Sequence, residues 1–169
     1  MPFALTKSLA AFSGWLEHTP LSQAIQATSW VVPAVQSVHI LAIAVVASSA
    51  LMIALRLMRL VAGDQTMNEV LARFLPFLWW ALLALLATGT IMIIGEPARS
   101  LLNPAFQLKM LLLASALTIT CLLQFLQRRM PAVGDLTSEH RGTAVVIAVV
   151  SMLLWTGIIF AGRWIAYYS

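Results

Sequence analysis

Long apolar runs separated by short polar segments dominate this chain. They cover residues 30–58, 74–95, 104–127 and 142–164, and charged residues gather at their ends. A helix that rises about 1.5 Å per residue needs roughly 20 apolar residues to cross the hydrocarbon core of a bilayer. The pattern therefore predicts an all-α integral membrane protein, in which four transmembrane helices joined by short loops form a single up-down bundle.

The residues before the first run follow a different pattern. Four apolar residues recur there every three or four positions, with polar residues between them: Leu5, Leu9, Phe12 and Leu16. This spacing predicts an amphipathic helix over residues 3–17 that lies on the membrane surface. A cleaved signal peptide would need a longer uninterrupted apolar region. Thr19 and Pro20 then have the character of a helix start, with Thr as the cap and Pro in the first turn.

Composition agrees with a membrane protein and excludes a soluble globular domain. Hydrophobic residues make up 61% of the 169 residues, charged residues only 9%, and the mean hydropathy is +0.92. The net charge of +4 comes from scattered cations rather than from a patch suited to nucleic acid. Six cations flank one side of the predicted bundle and four the other, which predicts that both termini are periplasmic in a bacterial inner membrane. The six are Arg56, Arg59, Arg73, Arg128, Arg129 and Arg141, and the four are Lys7, Arg99, Lys109 and Arg163.

His39 is the main candidate for chemistry, because an ionisable side chain within a span is costly and usually faces the bundle interior, a cavity or a ligand. It lies nine residues after Trp30, in the outer half of the membrane in this orientation. Gln36 precedes it by three residues and shares its helix face. Three roles stay open for His39: a hydrogen-bonded structural residue, a haem or metal ligand, or a proton carrier.

Other polar and sulfur-containing side chains are predicted at the same level as His39. The cations Lys109, Arg99 and Arg163 could hold the carboxylates of a haem or an anionic substrate. The remaining spans contain no second histidine, so a second axial ligand could come from His18, Met92 or Met110. A five-coordinate haem, or a pair of His39 residues across a dimer, also stays open. The set of His39, Met92 and Met110 would equally suit Cu(I).

Several other classes of function lack support in the sequence. It contains no nucleotide-binding loop, no paired carboxylates within the spans, no histidine cluster of zinc spacing and no nucleophile with a nearby base. Hydrolase activity and transport driven by nucleotide hydrolysis are therefore not expected. His140, in the loop before the fourth run, is predicted to be a solvated residue on the opposite side from His39.

The order of these features resembles a known membrane domain. His39 early in a first span that ends in arginines, Pro76 and Thr88-Gly89 in the second, and NPAFQLKMLLL with Lys109 opening the third resemble the four-helix domain of copper-resistance D-type proteins. They resemble, more distantly, the haem-associated membrane protoporphyrinogen oxidase. The resemblance covers roughly residues 30–165 and implies that His39 is a haem or metal ligand and Lys109 a functional cation. This sequence departs from it by lacking further histidines in its spans, and it is also similar to uncharacterised small bacterial inner-membrane families.

The sequence thus leads to one main expectation and two alternatives. We expect a membrane protein that binds haem b through His39 near the periplasmic face and exchanges electrons with a quinone or a periplasmic partner. The first alternative is a copper-handling membrane protein. The second is a noncatalytic membrane subunit or a homo-oligomeric scaffold, in which the polar cluster is structural.

Overall fold

The computed structural model describes residues 2–61, 63–129 and 141–165. Within these ranges the chain forms seven helices and no strand, which confirms the all-α prediction. In chain order the helices are α1 (Pro2–Glu17), α2 (Pro20–Ala27), α3 (Val31–Leu57), α4 (Met67–Gly95), α5 (Pro97–Leu101), α6 (Pro104–Arg129) and α7 (Arg141–Trp164). Four of them, α3, α4, α6 and α7, are long and apolar enough to cross a membrane, as expected of a multi-pass membrane protein.

The four long helices pack as an asymmetric bundle. The most extensive interface joins α3 to α4, and α7 packs against both α3 and α6. By contrast, α4 and α6 share no extensive interface. We call the end where α3 and α6 begin the His39 end and the opposite end the Arg56 end.

Side chains from all four long helices meet at Ala116 of α6, which is fully buried. Around it lie buried residues of the other three helices: Val46 and Ala50 of α3, Leu78 and Ala81 of α4, and Trp155 and Ile158 of α7. The sides of the bundle remain apolar, with large side chains such as Leu41, Leu86 and Leu153 about two-thirds exposed. Such a surface suits contact with lipid rather than with water.

Helix α4 begins at Met67, two turns before the start near Phe74 that the sequence predicted. A capping box stabilises this earlier start. The backbone N–H of Glu69 donates to Thr66 Oγ1 at 3.3 Å, and the backbone N–H of Thr66 donates to the Glu69 carboxylate at 2.7 Å. The predicted span of residues 74–95 lies within this longer helix, and the exposed charged residue Arg73 lies in its second turn.

Three short helices cover the His39 end. The amino-terminal segment contains two helices, of which α1 packs against α5 and α2 packs against α4. Thr19 caps α2 as predicted, because its Oγ1 accepts a hydrogen bond from the backbone N–H of Ser22. The apolar positions predicted to share one face of α1 do not share one environment. Leu9 and Leu16 are partly buried, whereas Phe12 is exposed and its ring packs against the ring of exposed Trp15.

Ser22 joins the amino-terminal segment to the last turn of α4. Its buried hydroxyl donates to the backbone carbonyl of Ile94 at 2.7 Å. This carbonyl needs an outside donor because α4 ends at Gly95 and cannot continue through Pro97. Gly95 allows the close approach, since a Cβ atom there would lie 2.9 Å from Ile25 Cγ2 of α2. The covering helices are therefore attached by a specific contact.

We expect Ser22→Ala to loosen α2 while leaving the four long helices folded. The Ile94 carbonyl would lose its donor in a buried place, which costs roughly 1–3 kcal/mol. Amide hydrogen exchange should become about tenfold faster or more in residues 20–27. Ser29→Ala is the matched control, because Ser29 is exposed and makes no hydrogen bond to the described residues. Equal exchange in the two variants would contradict the prediction.

Candidate functional site

The packing of α3 on α4 places His39 against Thr88 and Gly89. The Nδ1 atom of His39 lies 2.7 Å from Thr88 Oγ1, and the Thr88 side chain is buried. Gly89 lies beside the imidazole ring, since a Cβ atom added there would be 3.7 Å from His39 Cε1. The ring itself is partly buried. His39 is thus oriented by the neighbouring helix, as expected for an ionisable residue within a span.

The hydrogen bonds of Thr88 determine which nitrogen of His39 carries the proton. Thr88 Oγ1 lies 2.6 Å from the backbone carbonyl of Ala84, which can only accept, so the hydroxyl proton is donated there. The Thr88 oxygen must then accept from His39, which places the ring proton on Nδ1. In the neutral ring Nε2 then carries the lone pair, and Nε2 makes no hydrogen bond within the described part of the chain. A neutral His39 would therefore offer Nε2 as a nitrogen donor with a defined direction.

Lys109 brings a cation to the same level from the other side of the bundle. Its aliphatic stem passes over Gly162 of α7. A Cβ atom added at Gly162 would lie 3.6 Å from Lys109 Nζ and 3.8 Å from its Cδ and Cε atoms. Lys109 lies in the second turn of α6, at the same end of the bundle as His39. Among the described residues, Lys109 has no hydrogen bond or ion pair. We call the group of His39, Thr88, Gly89 and Lys109 the His39 site.

The other predicted cations are placed nearer the surface of the His39 end. Arg99 of α5 forms an exposed ion pair with Glu96, with Nη1 and Oε2 3.0 Å apart. Arg163 is exposed near the end of α7. Gln36 shares the predicted face with His39, but it is exposed and makes no hydrogen bond to the described residues. Of these three cations, Lys109 is thus the one that is partly buried.

The candidates for a second ligand occupy three different environments. Met92 lies one helical turn beyond Thr88, on the face of α4 that contacts α3, and is partly buried. Met110 follows Lys109 directly, so it points about 100° away around α6, and it is 46% exposed. His18 lies in the turn between α1 and α2, where its exposed ring donates from Nδ1 to the Gly14 carbonyl at 2.7 Å. Of the two methionines, Met92 has the better placement.

Among the described residues, His39 belongs neither to a metal-ligand cluster nor to the walls of the cleft between α6 and α7. These residues contain no cluster of three or more His, Cys, Asp or Glu side chains that could hold a metal ion. A cleft of about 420 Å³ lies between α6 and α7 at the His39 end, with Leu108, Phe160 and Trp164 among its walls, but His39 does not line it. The His39 site thus provides its donor atom outside this cleft.

Thr88 is the residue of the His39 site whose contact with His39 the sequence did not indicate. Threonine is common in membrane helices, where its hydroxyl bonds to the carbonyl four residues earlier, as Thr90 does with Leu86 at 2.7 Å. Thr88 makes the same local bond and also accepts from His39. Only its position in the second span, at the depth of His39 in the first, could have suggested the contact. His140 lies outside the described residues.

Comparison with known proteins identifies a family. No curated protein and no solved structure matches the chain. The copper-resistance D-type proteins and the membrane protoporphyrinogen oxidase, which the order of motifs resembles, gain no support from these comparisons. One family model matches residues 12–168, which is most of the chain and includes all four long helices. The protein belongs to the family described as "Family of unknown function (DUF6644)".

Proposed function

We propose that this membrane protein binds haem b through Nε2 of His39 and serves in electron transfer. The observation that carries the proposal is the contact of His39 Nδ1 with Thr88 Oγ1, which also lies within hydrogen-bond distance of the Ala84 carbonyl. Histidines that ligate a metal usually donate their other ring N–H to a fixed acceptor, which orients the ring and keeps the ligating nitrogen unprotonated. His39 has this arrangement within a membrane span, where an unused imidazole would be costly.

The residues of the site would perform three tasks when haem is bound. His39 would supply the axial nitrogen, Thr88 would hold the ring in one orientation, and Lys109 would keep a positive charge near the cofactor. The haem would supply one-electron exchange at its iron. A nearby cation favours the reduced form of such a centre, because reduction lowers the positive charge of the site. Met92 is the candidate for a second axial ligand within a span.

Copper handling is the weaker alternative on this geometry. A Cu(I) site built from His39, Met92 and Met110 would need both thioethers to point at the imidazole. Met110 instead lies on a different face of α6 from Lys109 and is nearly half-exposed. The haem proposal needs only one strong ligand from α3, with or without Met92. The geometry therefore favours haem over copper.

We also propose an orientation in the membrane and a class of redox partner. The cations flanking the four runs favour an orientation with the His39 end on the periplasmic side of a bacterial inner membrane and with both termini there. A haem at His39 would then lie near the periplasmic face, where a quinone or a periplasmic protein could exchange electrons with it. The exposed apolar sides of the bundle would also accommodate a second copy or another membrane subunit.

Absorption spectra of Thr88 variants test the proposal. The purified protein in mild detergent should show a Soret band and reduced-minus-oxidised haem b bands, with iron in proportion. Thr88→Val keeps the side-chain shape but removes the acceptor for His39 Nδ1, so haem affinity should fall about 10–100-fold. Thr88→Ser should retain most of the haem. Thr90→Val is the matched control, because Thr90 is exposed and bonds only to the carbonyl of Leu86 in its own helix.

Each alternative gives a different result in the same experiment. Copper without a Soret band would reject haem and support copper handling. A folded protein with neither metal nor absorption bands would reject the cofactor and leave the structural subunit. Equal haem content in Thr88→Val and Thr90→Val would show that haem is bound without the His39–Thr88 hydrogen bond.

A further inference from the structure

A cleft of about 400 Å³ opens between α4 and α6 in the Arg56 half of the bundle. It lies where these two helices are loosely packed, and we call it the α4–α6 cleft. Its apolar walls include Leu71, Leu75 and Trp79 of α4. Its volume falls within the range of about 300–1,000 Å³ that is usual for sites of small molecules.

Two side-chain amides give the cleft a polar part. Asn68 lies in the first turn of α4, and Gln124 lies near the end of α6, so the two amides approach the cleft from its two sides. Neither amide makes a hydrogen bond to any residue that the structure describes. Each carries two N–H donors and one acceptor oxygen. These groups are available to a ligand in the cleft.

Pro76 adds a backbone acceptor to the same cleft. Pro76 lies inside α4 and has no N–H, so the carbonyl of Ala72, four residues earlier, lacks its normal helical donor. Ala72 and Pro76 both line the cleft. A carbonyl without its helical bond is costly in an apolar environment, and other groups usually satisfy it in membrane helices. The cleft thus combines amide donors with a carbonyl acceptor.

We propose that the α4–α6 cleft binds the ring of a neutral membrane quinone. The amide N–H groups of Asn68 and Gln124 would donate to the ring carbonyls, and the Ala72 carbonyl would accept a hydroxyl proton of the reduced form. The ring would contact Trp79, and the isoprenoid chain would leave between α4 and α6 into the bilayer. No charged side chain of the described residues lines the cleft, which favours a neutral head over a phospholipid phosphate.

The position of the cleft makes it distinct from the His39 site. Pro76 lies 12 residues before Thr88 on α4, which corresponds to about 18 Å along the helix. Quinone binding in the cleft does not require a haem at His39. Only the further role of the quinone as electron partner rests on the proposed function.

Titration with a short-chain ubiquinone tests the proposal. The full chain in phosphatidylcholine nanodiscs would be titrated with decylubiquinone, with tryptophan fluorescence quenching as the readout. We expect saturable quenching that is reduced in Trp79→Phe. Asn68→Leu and Gln124→Leu should each weaken binding about tenfold, as expected for one lost hydrogen bond. Gln23→Leu is the matched control, since it removes an exposed amide of α2 that makes no hydrogen bond to the described residues.

Two further variants test the role of the Ala72 carbonyl and the independence of the cleft from the His39 site. Pro76→Ala restores the helical donor to the Ala72 carbonyl and suits a helix, so it should weaken binding of the reduced quinone more than that of the oxidised form. His39→Ala should leave quinone binding unchanged, even if it removes a haem. Quenching that never saturates would reject the site. Equal affinity in Asn68→Leu, Gln124→Leu and Gln23→Leu would also reject the site. The quenching would then come from partitioning of the quinone into the lipid.

Discussion

Replacing His39 with glycine is expected to abolish the proposed haem binding while leaving the bundle folded. The imidazole would be lost together with its bond to Thr88, and no other histidine lies within a span to take over the iron. The hydroxyl of Thr88 keeps its own bond to the Ala84 carbonyl, so no buried donor is left unpaired there. The Soret band and the iron content should both disappear, and the helical circular dichroism should persist.

Imidazole rescue separates a ligand from a structural residue. Free imidazole can occupy the space left in His39→Gly and bind iron, so millimolar imidazole should restore the haem bands if His39 is the axial ligand. His18→Ala is the control histidine variant, because His18 is exposed in a turn and already donates to the Gly14 carbonyl. Haem bands that persist in His39→Gly without imidazole would contradict the proposed ligand. A changed spectrum in His18→Ala would identify His18 as the second ligand.

The largest effect on stability is expected from Ala116→Leu. Ala116 is fully buried at the point where all four long helices meet, and three added carbons would have to displace neighbours such as Val46 and Trp155. Overpacking of this kind costs about 1–3 kcal/mol, which corresponds to a fall of roughly 3–10 °C in the thermal midpoint. Thermal unfolding in detergent, followed by circular dichroism, measures this change.

Ala114→Leu is the matched control for this prediction. Ala114 is exposed on the same helix, two residues away, so the added side chain would extend outwards instead of into the core. We expect its thermal midpoint to stay within about 2 °C of the wild type, as for most exposed substitutions. Similar losses in the two variants would show that close packing around Ala116 is not what stabilises the bundle.

The helices themselves could be predicted because their signals are local. A run of apolar residues long enough to cross a bilayer predicts a spanning helix wherever it occurs, so four such helices were expected and four are found. The Thr19 cap of α2 is another local signal, and it was predicted correctly. The start of α4 at Met67, before the predicted span of residues 74–95, is encoded by another local signal, the capping box of Thr66 and Glu69.

The site was predicted only in part, because its geometry depends on contacts between helices. The physical cost of a histidine in a span singled out His39. The choice of Thr88 as its partner depends on how α3 packs against α4, and hydropathy carries no information on that packing. The same holds for Lys109 and Gly162, which meet across the interface of α6 and α7.

Taken alone, the sequence determined that the chain is helical, that four of its helices can span a membrane and that His39 is the unusual residue among them. Each of these depends on residue type and on spacing within one segment. Tertiary structure decided which alanine lies in the core, which methionine faces the interior and where the bundle is loose enough to leave a cleft. These features depend on the rotation of each helix about its axis and on its neighbours, which are set by packing among all four helices at once.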